Sequence, residues 1–302
     1  MKRSIVTRFV LAVLAWGMVG RTWEARAHFL FVRIGPMAEA GRPAEVFFSE
    51  QAEAGDPKFV DKIAKTTLFL QSSERPGAFS RLPVAKASDR LRGTVPASGT
   101  IGVVGVCEYG VLARPNQTPF LLRYYPKAVA GKPDALNALK PAHGNLATDA
   151  KPVALEIVPT FEGDRVRFVT LRSGTPIANL KFTAVDSDLS VSEFQAGSDG
   201  QVAWTPPKPG RYSVYVRDDV KSPGEHDGQR YDEIREFATL AFTWPLDRQD
   251  ADAEAVEAFQ SAVARRAVWN DFPGFTADVS GTLEGRPFSG EVAVSAEGEV
   301  KV

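Results

Sequence analysis

The chain has 302 residues, with 36 basic against 37 acidic side chains and a formal charge of −1. That length supports two compact domains and a remainder, and the balanced charge offers no field for gathering a polyanion, so nucleic acid is not an expected partner. Cys107 is the only cysteine, which excludes an intramolecular disulfide and leaves stability to packed cores.

Residues 1–27 read as an export signal. Lys2, Arg3 and Arg8 give a positive start, Phe9 to Gly20 is apolar, and Ala25-Arg26-Ala27 puts small residues at the two positions a signal peptidase reads. The apolar run is short against the ~20 residues that span a bilayer. Cleavage is therefore expected, leaving His28 as the first residue of an exported protein, periplasmic or in the cell envelope, with no stable membrane span.

From 28 to 126 short β-rich runs alternate with turn residues: His28–Ile34, Glu45–Ser49, Thr66–Gln71, Leu91–Val95, Ile101–Cys107 and Phe120–Tyr125. The spacing predicts a β-sandwich. One short helix interrupts it, with Asp56 as cap, Pro57 at the first helical position and Phe59, Val60 and Ile63 on one face. Residues 127–151, rich in Ala, Gly, Pro and Lys without a sustained period, read as a linker. A second set of strands over 152–246 predicts an immunoglobulin-like sandwich: Val153–Val158, Arg165–Leu171, Asn179–Asp186, Gln201–Thr205, Gly210–Arg217 and Glu236–Thr243. Tyr212, Val214 and Val216 alternate with polar neighbours, and Ser198-Asp199-Gly200 is a turn. The fold class expected is thus mainly β, two tandem antiparallel sandwiches, followed over 250–302 by a helix (Asp250–Val268) and a hairpin around Glu284-Gly285-Arg286. A helix and one hairpin cannot bury a sheet face, so this last piece is expected to be an incomplete domain.

The familiar catalytic motifs are missing: no Gly-x-Ser-x-Gly elbow, no His-Glu-x-x-His pair and no phosphate-binding glycine loop. Only His28, His143 and His226 are available as bases, and no enzyme is expected. The sharpest chemical feature is His28 itself. Once exposed by cleavage it offers a free amine, with a pKa of roughly 8, and an imidazole Nδ1 on the same backbone, a bidentate chelate for a divalent ion. A third nitrogen from His226, in a polar loop over Ser222–Gly228, or from His143, in the linker, completes a site suited to Cu(II) or Ni(II). Glu50, Glu225 and Asp227 are possible oxygen ligands. The plainer reading is that His28 begins an edge strand and His226 is a solvated loop residue. Tyr109, Phe120, Tyr124, Tyr125 and Trp204 read as core or as an aromatic patch, and Cys107 as a small buried apolar residue.

Several motifs resemble an exported bacterial domain family of unknown function, historically described as similar to the nickel-uptake component NikM. They are Ala27-His28 followed by Phe29-Leu30-Phe31-Val32, then Tyr109-Gly110-Val111, Phe120 to Lys127 and Leu155-Glu156-Ile157-Val158-Pro159. Asp199-Gly200 leading to Pro209-Gly210-Arg211-Tyr212, and Tyr231 to Leu240, continue the resemblance to about 244. It implies an exported two-part β protein associated with nickel, cobalt or copper, with the new N-terminal histidine matching the family's start. The tail resembles the opening of a second uncharacterised bacterial family through Arg266 to Asn270 and Phe272 to Val279. The function expected is an exported binding protein for a divalent transition metal, with the metal ion and a membrane-transport or envelope protein as partners. The alternative is a non-catalytic adhesion or scaffold module that binds a polymer or another protein.

Overall fold

A computed structural model describes residues 28–36, 41–96, 99–115, 117–143, 146, 151–246, 261, 273–283, 286–296 and 300–301. The expected signal segment lies outside the described residues. So does the helix expected over Asp250–Val268, apart from Ser261, which is helical. The described residues up to 246 form one compact unit and those from 261 another.

In the first unit the strands are β1 (Phe29–Ile34), β2 (Arg42–Ser49), β3 (Thr67–Ser72), β4 (Phe79–Leu82), β5 (Ala85–Lys86), β6 (Leu91–Val95), β7 (Ile101–Leu112) and β8 (Phe120–Ala130). There follow β9 (Leu155–Glu162), β10 (Arg165–Arg172), β11 (Thr175–Pro176), β12 (Lys181–Asp186), β13 (Val191–Gln195), β14 (Gln201–Trp204), β15 (Gly210–Val220), β16 (Gly224–His226), β17 (Gln229–Tyr231) and β18 (Glu233–Trp244). Between β2 and β3 the Asp56 side chain accepts from the Lys58 N–H at 3.0 Å. That cap starts a 3-10 turn, Pro57–Phe59, which runs into α1 (Val60–Ile63), as Asp-Pro at a helix start predicts.

These strands make a small sheet β1-β2-β6-β5, an eight-stranded sheet β13-β12-β15-β18-β8-β7-β3-β4, and a third sheet β11-β10-β14 with β9 also paired to β10. The large sheet has a core on each face. Period two decides which side chain goes where: on β8, Phe120, Leu122, Tyr124 and Ala128 enter one core and Tyr125 and Val129 the other. Strand β7 does the same, with Val103 and Cys107 on one side and Val104 and Val106 on the other. The first core is closed by Leu30, Phe31, Val46 and Phe48 of the small sheet, the second by Leu155, Ile157, Phe161, Val166 and Phe168 of the third. Each large side chain so buried stabilises the fold by about 1.5–3 kcal/mol.

The protein is therefore mainly β, with sandwich packing, as its strand pattern predicts. The organisation differs from two independent sandwiches in tandem, because the two cores share one sheet. Strand β8 of the first half lies parallel to β18 of the second, from Phe120 opposite Glu233 to Ala128 opposite Ala241. The stretch 127–151 is not a free linker over its described length. Lys127–Ala130 completes β8, and α2 (Pro133–Asn137) buries Leu136. The Asn137 side chain clamps the backbone of Phe161 with two hydrogen bonds, at 2.9 and 2.8 Å. The segment lacks a period because strand, single helical turn and loop follow one another within a few residues.

The second unit has three antiparallel strands, β19 (Phe275–Leu283), β20 (Arg286–Val294) and β21 (Val300–Lys301), with Phe275 opposite Val294 and Leu283 opposite Arg286. This is the hairpin expected there. Phe275, Val279, Phe288 and Val300 are exposed. Among the described residues no helix is long and apolar enough to cross a membrane.

Candidate functional site

His28 lies one residue before β1, half-buried. Its ring stacks on Phe48 at 5.9 Å between centroids and meets Phe59 at 5.4 Å, so β2 and the capped turn after it fix the imidazole from two sides. The rings continue inward from Phe48 to Tyr109 and Tyr124, and from Tyr124 to Phe237. The Tyr124 hydroxyl donates to the His28 carbonyl at 3.4 Å. Asp56 is close enough for its charge to interact with that of His28, although Lys58 is the main reason its carboxyl is held below the ordinary value. The His28 imidazole thus sits at one end of the aromatic cluster, against the ring of Phe59 in the turn that Asp56 caps. Lys58 and Lys62 lie over the Phe59 ring, so the surroundings carry positive charge as well.

The other two histidines occupy different places. His143 is exposed and packs beside Gly174, where a Cβ would come within 2.8 Å of its ring. His226 ends β16. The segment read from sequence as a polar loop is a hairpin, β16 against β17, closed by Asp227 (φ +48°) and Gly228 (φ +76°). Two successive positive φ angles make the turn that Asp-Gly favours, because its twist matches that of the strands it joins. Glu225 is exposed on β16 and Glu50 half-buried after β2. Among the described residues no three His, Cys, Asp or Glu side chains gather to hold a metal ion, so the all-histidine set of His28, His143 and His226 is not assembled.

His226 instead helps to line a cavity of about 470 Å³ at the β3–β4 edge of the large sheet. Its floor is one sheet face: Thr67 and Phe69 from β3, Phe79 and Arg81 from β4, Val106 and Glu108 from β7. Register places Arg81 opposite Phe69 and Thr67 opposite Val106. Phe69 and Val106 belong to the second core, so the cavity continues that core's face at the sheet edge. Lys65, Lys151, His226 and Asp227 complete its walls.

The charges there are mostly paired. Lys65 bonds Asp227 at 3.0 Å and holds its carboxyl below the ordinary value. Lys151 pairs with Glu108, which also meets Arg123 at 3.0 Å. Arg81 makes no ion pair with a described residue. The His226 Nε2 is buried without a hydrogen-bond partner, 3.5 Å from Asp227 Oδ2. Sequence reasoning did not find Lys65, Arg81, Lys151 or Glu108, which come together only through sheet pairing. The one local signal was Asp227-Gly228, which marks the hairpin that carries His226.

Residues 250–302 match the model of a family described as a protein of unknown function, DUF3386, in keeping with the motifs of the tail. No curated protein matches the chain. Among solved structures, the BSP domain of a biofilm-associated protein is similar at 13% identity, with a TM-score of 0.15. The match covers 70% of this chain and 29% of that one, and a score so low carries no argument about fold or function.

Proposed function

We propose that the protein is an exported binding protein that takes a divalent transition metal, nickel, cobalt or copper, through His28 once residues 1–27 have been removed. The observation that carries this reading is a His28 imidazole held between Phe48 and Phe59, beside the turn that Asp56 caps. The amine and Nδ1 of His28 supply two nitrogens on one backbone, and Asp56 an oxygen. Nitrogen with oxygen suits Cu(II) or Ni(II) better than a soft ion. Asp56 takes the place assigned from sequence to His143 or His226, since His226 lies among basic side chains that disfavour a cation and His143 lies against Gly174. The resemblance of residues 28–244 to the NikM-like exported family points the same way.

Titration calorimetry of protein beginning at His28, beside a form with one additional N-terminal glycine and beside Asp56→Asn, tests this. Cu(II) and Ni(II) are expected to bind the first form and to lose affinity by about tenfold or more in the second, because the amine and Nδ1 no longer share a chelate ring. Equal affinities in the two forms would refute the chelate and leave the adhesion or scaffold reading.

A further inference from the structure

We propose that the cavity at the β3–β4 edge binds a small monocarboxylate with a flat apolar body. Three observations converge on it. The floor is half apolar, with Phe69, Phe79 and Val106 on one face of the sheet, and its volume of about 470 Å³ falls within the range of small-molecule sites. Set into the same face is Arg81, whose guanidinium makes no ion pair with a described residue and offers paired donors of the geometry a carboxylate accepts. Beside it, the His226 Nε2 is buried without a hydrogen-bond partner. Buried polar atoms in folded proteins are almost always satisfied; this nitrogen is closed to solvent and 3.5 Å from Asp227 Oδ2, so a ligand reaches it only as the hairpin that carries it shifts.

Charge narrows the class further. The lining carries Lys65, Arg81 and Lys151 against Glu108 and Asp227, an excess of one positive charge with His226 neutral. A divalent cation is disfavoured there. A multiply charged anion such as phosphate gains from Arg81 but faces Glu108 and Asp227, while its polar surface meets aromatic rings. A single negative charge on a flat hydrocarbon body satisfies both halves of the site, as Arg81 neutralises the charge and Phe69 and Phe79 cover the body. The Asp227-Gly228 hairpin holds His226 in the wall, and the bond from Lys65 to Asp227 ties that hairpin to the residues leading into β3.

The test uses the full chain in the presence of EDTA, so that metal binding at His28 does not enter. Benzoate, indole-3-acetate and hexanoate are titrated beside indole-3-acetamide and inorganic phosphate, with amide shifts followed by NMR. At least one aromatic carboxylate is expected to bind saturably at millimolar concentration or below, shifting amides on β3, β4 and β16. The amide and phosphate are expected to bind about tenfold more weakly or less, the value of a charge-assisted hydrogen bond. Arg81→Gln is expected to lower carboxylate affinity by a similar factor, and His226→Gln to lower it less. Arg165→Gln, on another sheet, is expected to leave it unchanged. Arg81 is exposed on an edge strand, so its replacement leaves the cores intact. Absence of binding by all three carboxylates would overturn the proposal. So would equal binding of acid and amide, equal binding of phosphate, or an Arg81→Gln protein of undiminished affinity.

Discussion

The ion pair between Lys127 and Glu156 lies inside the second core, joining β8 of the large sheet to β9 of the third. Lys127 is 7% exposed and Glu156 2%. The ammonium donates to Oε1 at 2.7 Å, and the Ala142 N–H donates to Oε2 at 2.7 Å, so the carboxylate is satisfied on both oxygens. Lys127→Met removes one member and leaves a carboxylate in an apolar core with a single backbone donor. Breaking a pair so buried costs about 3–5 kcal/mol. For a unit of this size that is a fall in melting temperature of roughly 10 °C. Glu156→Leu, which strands the ammonium instead, is expected to cost as much. The double variant removes both charges together and is expected to recover most of the loss, since replacing such a pair by apolar groups of similar volume is often neutral or better. Urea unfolding followed by tryptophan fluorescence, with all four proteins in a double-mutant cycle, gives the coupling directly. A single variant that loses under about 1 kcal/mol, or a double variant as unstable as the sum of the singles, would refute the view that the Lys127 segment is part of the core.

Two further predictions concern titration. Burial acts to raise the Glu45 carboxyl, and the guanidiniums of Arg33 and Arg90, bonded to it at 2.6 and 2.8 Å, more than offset this and hold it below the ordinary value. Its contribution to stability is thus complete above the unfolded carboxylate pKa and is lost as pH falls through the lower folded value; Glu45→Gln is expected to flatten the decline of the urea midpoint between neutrality and about pH 3. A decline of unchanged slope would place the acid sensitivity elsewhere. Burial pushes the Cys107 thiol up to about 11, so it is expected to resist Ellman's reagent in the folded protein and react fully in denaturant. Rapid native labelling would show that β7 opens.

The positions of most strands could be read from the residues themselves, because alternation and turn residues act locally. Leu91–Val95 is a strand between the residues expected, and Gly200, with φ +76° and with Asp199 accepting from the Gln201 N–H, makes the turn its neighbours predict. Partner choice was not legible. The period of β8 tells which side chains share a face, yet nothing in Phe120 to Ala130 names β18 as its neighbour across more than a hundred residues. Strand β7 was read too short because it continues past Cys107 through an irregularity between Glu108 and Gly110, where Gly110 takes φ +123° and restores the ladder to Leu112. At the candidate sites, His28 stands out by its place after a cleavage pattern. Asp56 was recognised as a helix cap, the role in which its side chain accepts from the Lys58 N–H. Arg81 and Lys151 were invisible for a simpler reason: each is an ordinary surface cation until pairing sets it beside Phe69 and His226.

The parallel junction of β8 and β18 also governs how the chain is made. Synthesis runs from the N-terminus, so β8 emerges long before Glu233 to Trp244 exist to sit beside it. Until then its outer backbone donors and acceptors, and the sides of Tyr125 and Val129 that belong to the second core, have no cover. Such a half-finished edge invites pairing with whatever strand is nearest.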